Sequence, residues 1–537
     1  MDYENANAPY VGQAPPVFPV YVKPENAFKP KMADFVFALV AFVLGYLFSR
    51  WVFLAGRGWG VTAFTTLYLL AVTAYLINKG VFAKSAATWF WFAATWIAGL
   101  SYALWQNAST VQYRMMFLFC SAVYYVISAS GRTILGKTGN YLLIDGINAV
   151  IILPFRNFVN QYVSFGILKK EGKRSGKTLP IVIGLIIALI LIAWLTPLLK
   201  NADSGGFSII LNFLAEIFTI ENEVLVRILI NSICAIPIAA YLYGLVSGAA
   251  FKKGTDIIKA DSVKKMVAGL RFLQQTTVFI ALGAVCILYI VFIMSQLPYF
   301  FLAFAGRRPE GWLIYAEYAR QGFFELCGIA AINLCIITIS NLTCKKQRTD
   351  SRILKMYNIA IAVITLVLIA TAFSKMALYI GTYGLTMPRL LPCVFMVFMS
   401  FVFIALIARQ KWDFSIVRFG LVTGSVMLCS LFMCNPDALV VRYNTDRYLN
   451  GTLQEYDPEI LFRSGYAGVL PAIEVYENTT DAQLREAIDT YLEYQYSSYG
   501  TESYLSKRVN EQSVEMQRAR QAIRDLRWWE AGGLVNQ

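Results

Sequence analysis

The 537-residue sequence contains no histidine. This absence excludes Ser-His-Asp and Cys-His nucleophiles, and it excludes zinc, di-iron and haem sites that need His ligands. A general acid or base would have to be Asp, Glu, Lys, Tyr, Cys or water. The nine cysteines fall mostly in apolar runs, and no C-x-x-C pair occurs among them. We therefore expect no disulfide framework, no metal site and no cofactor.

Charged residues are also scarce. They make up 15% of the sequence, whereas 57% of the residues are hydrophobic and the mean hydropathy is +0.54. A soluble domain carries about 25% charged residues. A chain this apolar cannot cover itself with a polar surface, so we predict an all-α polytopic membrane protein whose main partner is the lipid bilayer. Nucleic-acid binding is not expected, because the basic residues are divided among short loops.

Apolar runs of about 20 residues follow one another along the chain, and each can cross roughly 30 Å of hydrocarbon as a helix. Two further apolar stretches, 141–155 and 207–220, are shorter and interrupted by polar residues, so we expect them to be interfacial or re-entrant. The sequence predicts eleven transmembrane helices, over residues 35–54, 61–77, 86–105, 115–130, 179–199, 224–246, 278–304, 323–342, 358–373, 387–408 and 417–434.

The basic residues predict an orientation. Of the 47 Lys and Arg residues, 27 lie in the N-terminal tail and in every second loop, which places these segments in the cytosol. The loop 305–322 carries three arginines against this trend. We predict a disordered, Pro-rich cytoplasmic tail over residues 1–31, a transmembrane domain over 32–434, and a helical extracytoplasmic C-terminal region over 435–537. The N-terminus is then inside and the C-terminus outside.

Residues 131–138 read GRTILGKT and match the phosphate-binding pattern G-x-x-x-x-G-K-[ST]. A functional loop of this kind joins a buried strand to a helix, and an acidic residue on a second strand positions Mg²⁺. Here a predicted membrane span precedes the loop, and the next apolar run begins too soon for a helix to fit between them. We interpret the string as a chance match in a cytoplasmic turn; its pattern residues are Gly131, Gly136, Lys137 and Thr138.

Polar residues at membrane depth are costly and therefore informative. Glu317, Gln321 and Glu325 are spaced by four and would share one helix face. Together with nearby basic and aromatic residues they predict a pocket in the outer leaflet for an anionic group, such as a lipid phosphate or a carboxylate. In the alternative interpretation, Glu325 pairs with a neighbouring cation and only holds helices together. The candidate ligand-binding residues are Glu317, Arg320, Gln321, Glu325, Lys375, Tyr379 and Arg389, and no catalytic residue is assigned.

Three strings carry a resemblance to a known family: YAEYARQGFFEL at 315–326, SKMALYIGTYGLTMPRLL at 374–391 and NPDALVVRYNTDRYLNG at 435–451. They resemble a family of bacterial multi-pass membrane proteins known as domain of unknown function 4153/4173. The resemblance covers most of the membrane region and the start of the C-terminal region. It implies a bacterial plasma-membrane location and brings no catalytic residue with it.

Three functions remain open from the sequence. The first is a non-enzymatic protein that binds or transports a small or lipid-like anion. The second is a sensor or scaffold that acts through its tails on a membrane or cytoplasmic protein partner. The third is a transferase acting on a lipid-linked sugar, for which the candidate acids are Glu216, Glu221, Glu223, Glu310 and Glu317. The sequence favours a non-enzymatic role over the transferase.

Overall fold

The computed structural model of the protein describes residues 28–106, 108–133, 138–168, 223–251, 260–304, 323–346, 348–497 and 509–526. Within these ranges the ordered elements are helices, and the one β-type contact is an isolated bridge between Leu273 and Cys344. Eight of the described helices are long and apolar enough to cross a membrane. The predicted all-helical, multi-pass class is confirmed, whereas the number of eleven spans and the orientation stay predictions.

The long helices follow the predicted apolar runs closely. Each predicted run that falls within the described ranges coincides with a helix. The predicted run 179–199 and the shorter stretch 207–220 lie outside the described residues. The helices before the C-terminal region are α1 (Met32–Leu47), α2 (Trp59–Asn78), α3 (Ala86–Leu104), α4 (Val111–Ala129), the three short helices α5 (Leu142–Ile147), α6 (Leu153–Arg156) and α7 (Asn160–Phe165), the long helix α8 (Glu223–Ala250), and then α9 (Ala260–Gly269), α10 (Gln275–Phe304), α11 (Phe323–Thr343), α12 (Arg352–Tyr383), α13 (Met387–Ala408) and α14 (Ile416–Met433).

Helix α12 is longer than the apolar run that predicted it. The run covers 358–373, but the helix has 32 residues. It begins where the Ser351 side chain accepts a hydrogen bond from the Leu354 N–H, and it ends at Gly384, whose φ is 77°. The apolar pattern marks only the part inside hydrocarbon, so the capping residues rather than hydropathy set the true ends.

The stretch 141–155, predicted to be interfacial or re-entrant, forms α5, a π-helical turn at Asn148–Ile152, and α6. It packs closely against α8 at Gly244 and Gly248. A Cβ atom at Gly244 would collide with the Pro154 carbonyl, and one at Gly248 would collide with the Asn157 side chain. The segment therefore lies against a membrane helix, and whether it also reaches the interface stays a prediction.

The helices form two clusters, each with its own apolar core. The first contains α1–α4, the short helices and α8; the second contains α10–α13. Helix α14 packs on α13 and on α3 and so joins the two clusters. Small residues allow close contacts such as the one between α1 and α8, where a Cβ atom at Gly45 would lie 2.7 Å from the Ala235 carbonyl oxygen.

The C-terminal region is helical where it is described, and it covers one end of the bundle. Its helices are α15 (Pro436–Leu449), α16 (Glu459–Ser464), α17 (Val469–Asn478), α18 (Ala482–Ser497) and α19 (Val514–Asp525), which share an apolar core. The Trp59 N–H donates to the Gln512 carbonyl at 3.0 Å, so this region also reaches the α1–α2 loop. Its extracytoplasmic location and the predicted domain limits stay predictions.

Candidate ligand-binding site

A cavity of about 620 Å³ lies between the C-terminal region and the end of the helix bundle. Its bundle side is formed by the first turn of α11, the last turns of α12, the start of α13 and the loop before α4. Its other side is formed by α15, α16 and the residue Asp457 that precedes α16. The volume lies within the range of small-molecule sites, about 300–1,000 Å³. The cavity is therefore large enough for a headgroup or a small solute.

Arg389 and Tyr379, both predicted from the sequence, line this cavity. The guanidinium carbon of Arg389 lies 4.1 Å from the centre of the Tyr379 ring. Nη1 of Arg389 donates to the carbonyl of Tyr383 at 2.9 Å and to the carbonyl of Gly384. In the described part of the chain, Nε and Nη2 make no hydrogen bond, so two donors of a planar cation remain for an oxyanion.

The loop before α13 holds Arg389 in place. Asn444 of α15 clamps this loop: its Oδ1 accepts the Leu385 N–H at 2.8 Å, and its Nδ2 donates to the Leu385 carbonyl at 2.6 Å. Gly384 adopts a left-handed conformation beside it, and a Cβ atom there would collide with the Asn444 Oδ1. The C-terminal region therefore positions the arginine of a membrane helix.

The opposite wall carries charges that are already paired. Arg463 donates from Nη2 to the Glu459 carboxylate at 2.7 Å, and Asp457 accepts the Glu459 N–H at 2.9 Å. The described lining residues thus include two cations, Arg389 and Arg463, and two anions, Asp457 and Glu459. The formal charges of the described lining residues therefore sum to zero.

Two further predicted residues lie next to the cavity wall. Glu325 follows the lining residue Phe324, and Lys375 precedes the lining residue Met376. Glu325 is exposed and Lys375 is half-buried, and the two interact electrostatically. This interaction is the kind that the helix-holding alternative requires. The remaining candidates, Glu317, Arg320 and Gln321, lie outside the described residues.

The phosphate-loop string lies at the other end of the bundle. Gly131 follows the residue that caps α4, Ser130, and Gly136 and Lys137 lie outside the described residues. The Thr138 hydroxyl accepts a hydrogen bond from the Tyr124 hydroxyl at 3.2 Å, and the Thr138 carbonyl accepts one from Arg418 Nε at 2.7 Å. A helix thus precedes the string where a nucleotide-binding loop needs a strand, which agrees with the interpretation as a turn.

Sequence reasoning missed a buried polar cluster behind the cavity. Arg114, at the start of α4, is fully buried and donates to the Trp105 carbonyl at 3.1 Å and to the Gln106 carbonyl at 2.6 Å. Two buried acids of the C-terminal region, Asp437 and Glu515, lie near it. The only signal in the sequence was an arginine directly before an apolar run, because its acidic partners lie far away along the chain.

In the described residues, no group of three or more Cys, Asp or Glu side chains is arranged to hold a metal ion. The fold and the cavity define a class: a polytopic helical membrane protein whose C-terminal helical region covers one end of the bundle and encloses a cavity there.

Comparison with known proteins then gives the family. A protein-family model described as a domain of unknown function (DUF4153) matches residues 92–473, so the chain belongs to this family. The matched range includes the cavity and ends within the C-terminal region. No curated protein and no solved structure matches the chain. The family resemblance inferred from the three sequence strings is confirmed, and the bacterial plasma-membrane location stays a prediction.

Proposed function

We propose that the protein binds, or binds and transports, an amphipathic ligand with an anionic headgroup in the cavity under its C-terminal region. The observation that carries this proposal is that two Arg389 donors at the cavity wall, Nε and Nη2, make no hydrogen bond to any residue that the structure describes. A guanidinium that presents two parallel N–H groups suits a phosphate or carboxylate oxygen pair. The stacking of Arg389 on Tyr379 restricts its rotation, which lowers the entropy cost of binding.

The apolar part of the wall supports a lipid-like ligand. Phe324, Met376 and Met387 line the cavity on the bundle side, and Phe324 is 51% exposed. These residues belong to the ends of membrane helices, so a bound molecule could keep its acyl part beside the bundle and its headgroup at Arg389. In the proposed orientation, with the N-terminus inside a bacterial cell, this site faces the outer leaflet.

A sensor role is the second candidate, and one observation favours it. The C-terminal region is bonded to both helix clusters: Asn444 clamps the loop before α13, and Glu515 accepts the Gln106 N–H beside α3 at 2.8 Å. A ligand in the cavity touches this same region and could change how it holds the two clusters.

The transferase hypothesis gains no such observation. Four of its candidate acids, Glu216, Glu221, Glu310 and Glu317, lie outside the described residues, as does the side chain of Glu223.

The proposed function is tested by binding measurements on the purified full-length protein in neutral detergent. The probes are short-chain phosphatidic acid, short-chain phosphatidylcholine and inorganic phosphate, titrated by calorimetry. We expect R389Q to weaken phosphatidic acid binding by about tenfold or more, because a charge-assisted hydrogen bond is lost. The matched control is R463Q, which lies on the opposite wall and is already paired with Glu459.

Each outcome of this experiment has a meaning. Tight phosphatidic acid binding with weak phosphate binding identifies a lipid ligand, and equal affinities identify a free oxyanion. An equal effect of R389Q and R463Q, or no effect of R389Q on any probe, would rule out Arg389 as the headgroup site. No binding of any of the three probes would leave the sensor role as the better proposal.

A further inference from the structure

The buried cluster behind the cavity joins the C-terminal region to the first helix cluster. We call it the seam cluster and define it as Arg114, Asp437 and Glu515. Arg114 and Asp437 have no exposed surface and Glu515 is 8% exposed. The Ser109 N–H donates to Asp437 Oδ2 at 3.1 Å, and Ser109 also lines the cavity. The seam cluster therefore lies directly behind the wall of the candidate site.

The charges in the seam cluster do not balance. Arg114 supplies one positive charge, whereas two ionised acids would supply two negative charges. Among the described residues, the other titratable groups facing the cluster are the phenols of Tyr102, whose ring centre lies 3.9 Å from the Arg114 guanidinium carbon, and Tyr491, which lies near Glu515. Both phenols are uncharged near neutral pH. Since an uncompensated buried charge is costly, the cluster is most stable with one proton added.

The hydrogen bonds distinguish the two acids. Glu515 receives a donor on each oxygen: the Gln106 N–H on Oε2 at 2.8 Å and the Asn435 side-chain amide on Oε1. Two donors favour the ionised form of Glu515. Asp437 receives the Ser109 N–H on Oδ2 and also interacts with the Ser109 side chain, while in the described part of the chain its buried Oδ1 has no hydrogen-bond partner. Asp437 is therefore the acid that gains most from protonation.

We propose that the seam cluster is a proton-binding site in which Asp437 takes up one proton at a higher pH than an exposed aspartate does, while Glu515 and Arg114 stay ionised. This proposal does not depend on what the cavity binds. Burial raises the pKa of Asp437 above its ordinary value, and burial likewise raises the pKa of Glu515. Because the two acids interact, the proton belongs to the pair in any titration, and the hydrogen bonds assign it to Asp437.

The proton also stabilises the contact between the C-terminal region and the bundle. An acid whose pKa is raised in the folded state binds more protons there than in the unfolded state. The resulting stabilisation is complete below the unfolded pKa, about 4 for these acids, and it is lost as the pH rises through the folded pKa. Above that pH the seam holds a net negative charge, and we expect the packing of α19 on the bundle to weaken.

Infrared difference spectroscopy tests the site directly, because a protonated carboxyl group has a carbonyl stretch that a carboxylate lacks. We expect the wild-type protein in nanodiscs to show this band at low pH and to lose it at a higher pH than an exposed aspartate would. D437N should lack the band, since asparagine imitates the neutral acid without the proton. The matched control D446N removes an exposed acid of the same helix and should leave the band unchanged.

A third variant tests whether the negative charge of Glu515, and not burial alone, makes Asp437 hold its proton. E515Q removes one negative charge, so Asp437 would be paired with Arg114 alone. We expect the midpoint of the band to fall by about one pH unit or more. A wild-type midpoint no higher than that of an exposed aspartate, an unchanged band in D437N, or an unchanged midpoint in E515Q would each overturn the proposal.

Hydrogen exchange measures the consequence for the C-terminal region. After correction for the intrinsic pH dependence of exchange, the amides of α19 should exchange faster above the wild-type midpoint. In D437N this step should disappear, because the seam can no longer lose a proton. If D437N kept the same step as the wild-type protein, the link between the proton and the packing of α19 would be wrong.

Discussion

At the scale of single residues, the candidate site depends on a few backbone positions that hydropathy does not reveal. The string IGTYGL contains two glycines, Gly381 and Gly384, which look alike in the sequence. Only Gly384 adopts a left-handed conformation, and only there would a Cβ atom meet Asn444. The wall that carries Arg389 therefore depends on one of the two glycines.

We predict that G384A destabilises the protein and weakens ligand binding at Arg389. Alanine is strained at φ 77°, at a cost of about 1–2 kcal/mol, and its Cβ would also displace Asn444. G381A is the matched control: a Cβ at this position meets nothing within 4 Å, so the helix should tolerate it or gain slightly. Thermal unfolding in detergent measures both variants, and equal unfolding temperatures would contradict the prediction.

Tyr379 and Arg389 were predicted from the sequence because polar side chains near the ends of apolar helices are costly unless they have a role. Asp437 and Glu515 were not, although the structure places them around one buried arginine. They follow the last span in a region that reads as an ordinary amphipathic tail. Their burial results from packing between segments that are far apart in the chain, and no local pattern encodes it.

At the scale of elements, hydropathy located the long helices, and local capping set their ends. Packing between helices follows a different rule, because lipid is as apolar as the helix surfaces. Close approach then depends on small residues. On α1 these are Ala38, Ala41 and Gly45, which are buried, and Gly45 meets the backbone of α8 at Ala235. Helices α1 and α8 are far apart in the sequence, and the sequence analysis does not predict that they pair.

We predict that G45L disrupts the contact between α1 and α8. Its side chain would begin 2.7 Å from the Ala235 carbonyl oxygen, and overpacking of this kind costs about 1–3 kcal/mol. G328L in α11 is the matched control, because a Cβ there meets nothing within 4 Å. Size-exclusion chromatography of the detergent-solubilised protein, before and after heating, compares the two. Equal recovery of monodisperse protein would show that this contact is not limiting.

At the scale of the whole molecule, the C-terminal region ties the two helix clusters together at one end. Its contacts reach the loop 54–58, the loop 105–110 and the loop before α13. This arrangement explains why a cavity with charged as well as apolar walls lies at that end: loops and the C-terminal helices meet there, whereas the apolar helices fill the rest. Sidedness decides whether the cavity faces the cell exterior or the cytosol.

We predict that this end faces outside the cell. In a variant with Cys434 as the only cysteine, a membrane-impermeant maleimide should label intact cells, because Cys434 is exposed beside the C-terminal region. A cysteine-free variant carrying K84C, an exposed position at the opposite end, should react only after permeabilisation. The reverse pattern would invert the orientation and place the cavity in the inner leaflet.

By itself, the sequence determined the class of this protein. Lipid selects long apolar segments and helices satisfy their own backbone hydrogen bonds, so hydropathy and helix length are local properties that a sequence displays directly. Only the tertiary structure decided which ends meet, that Asn444 holds the wall behind Arg389, and that Asp437 and Glu515 share one arginine. Those facts arise from packing between distant segments, where the cost of burying charge is set by neighbours that local sequence cannot specify.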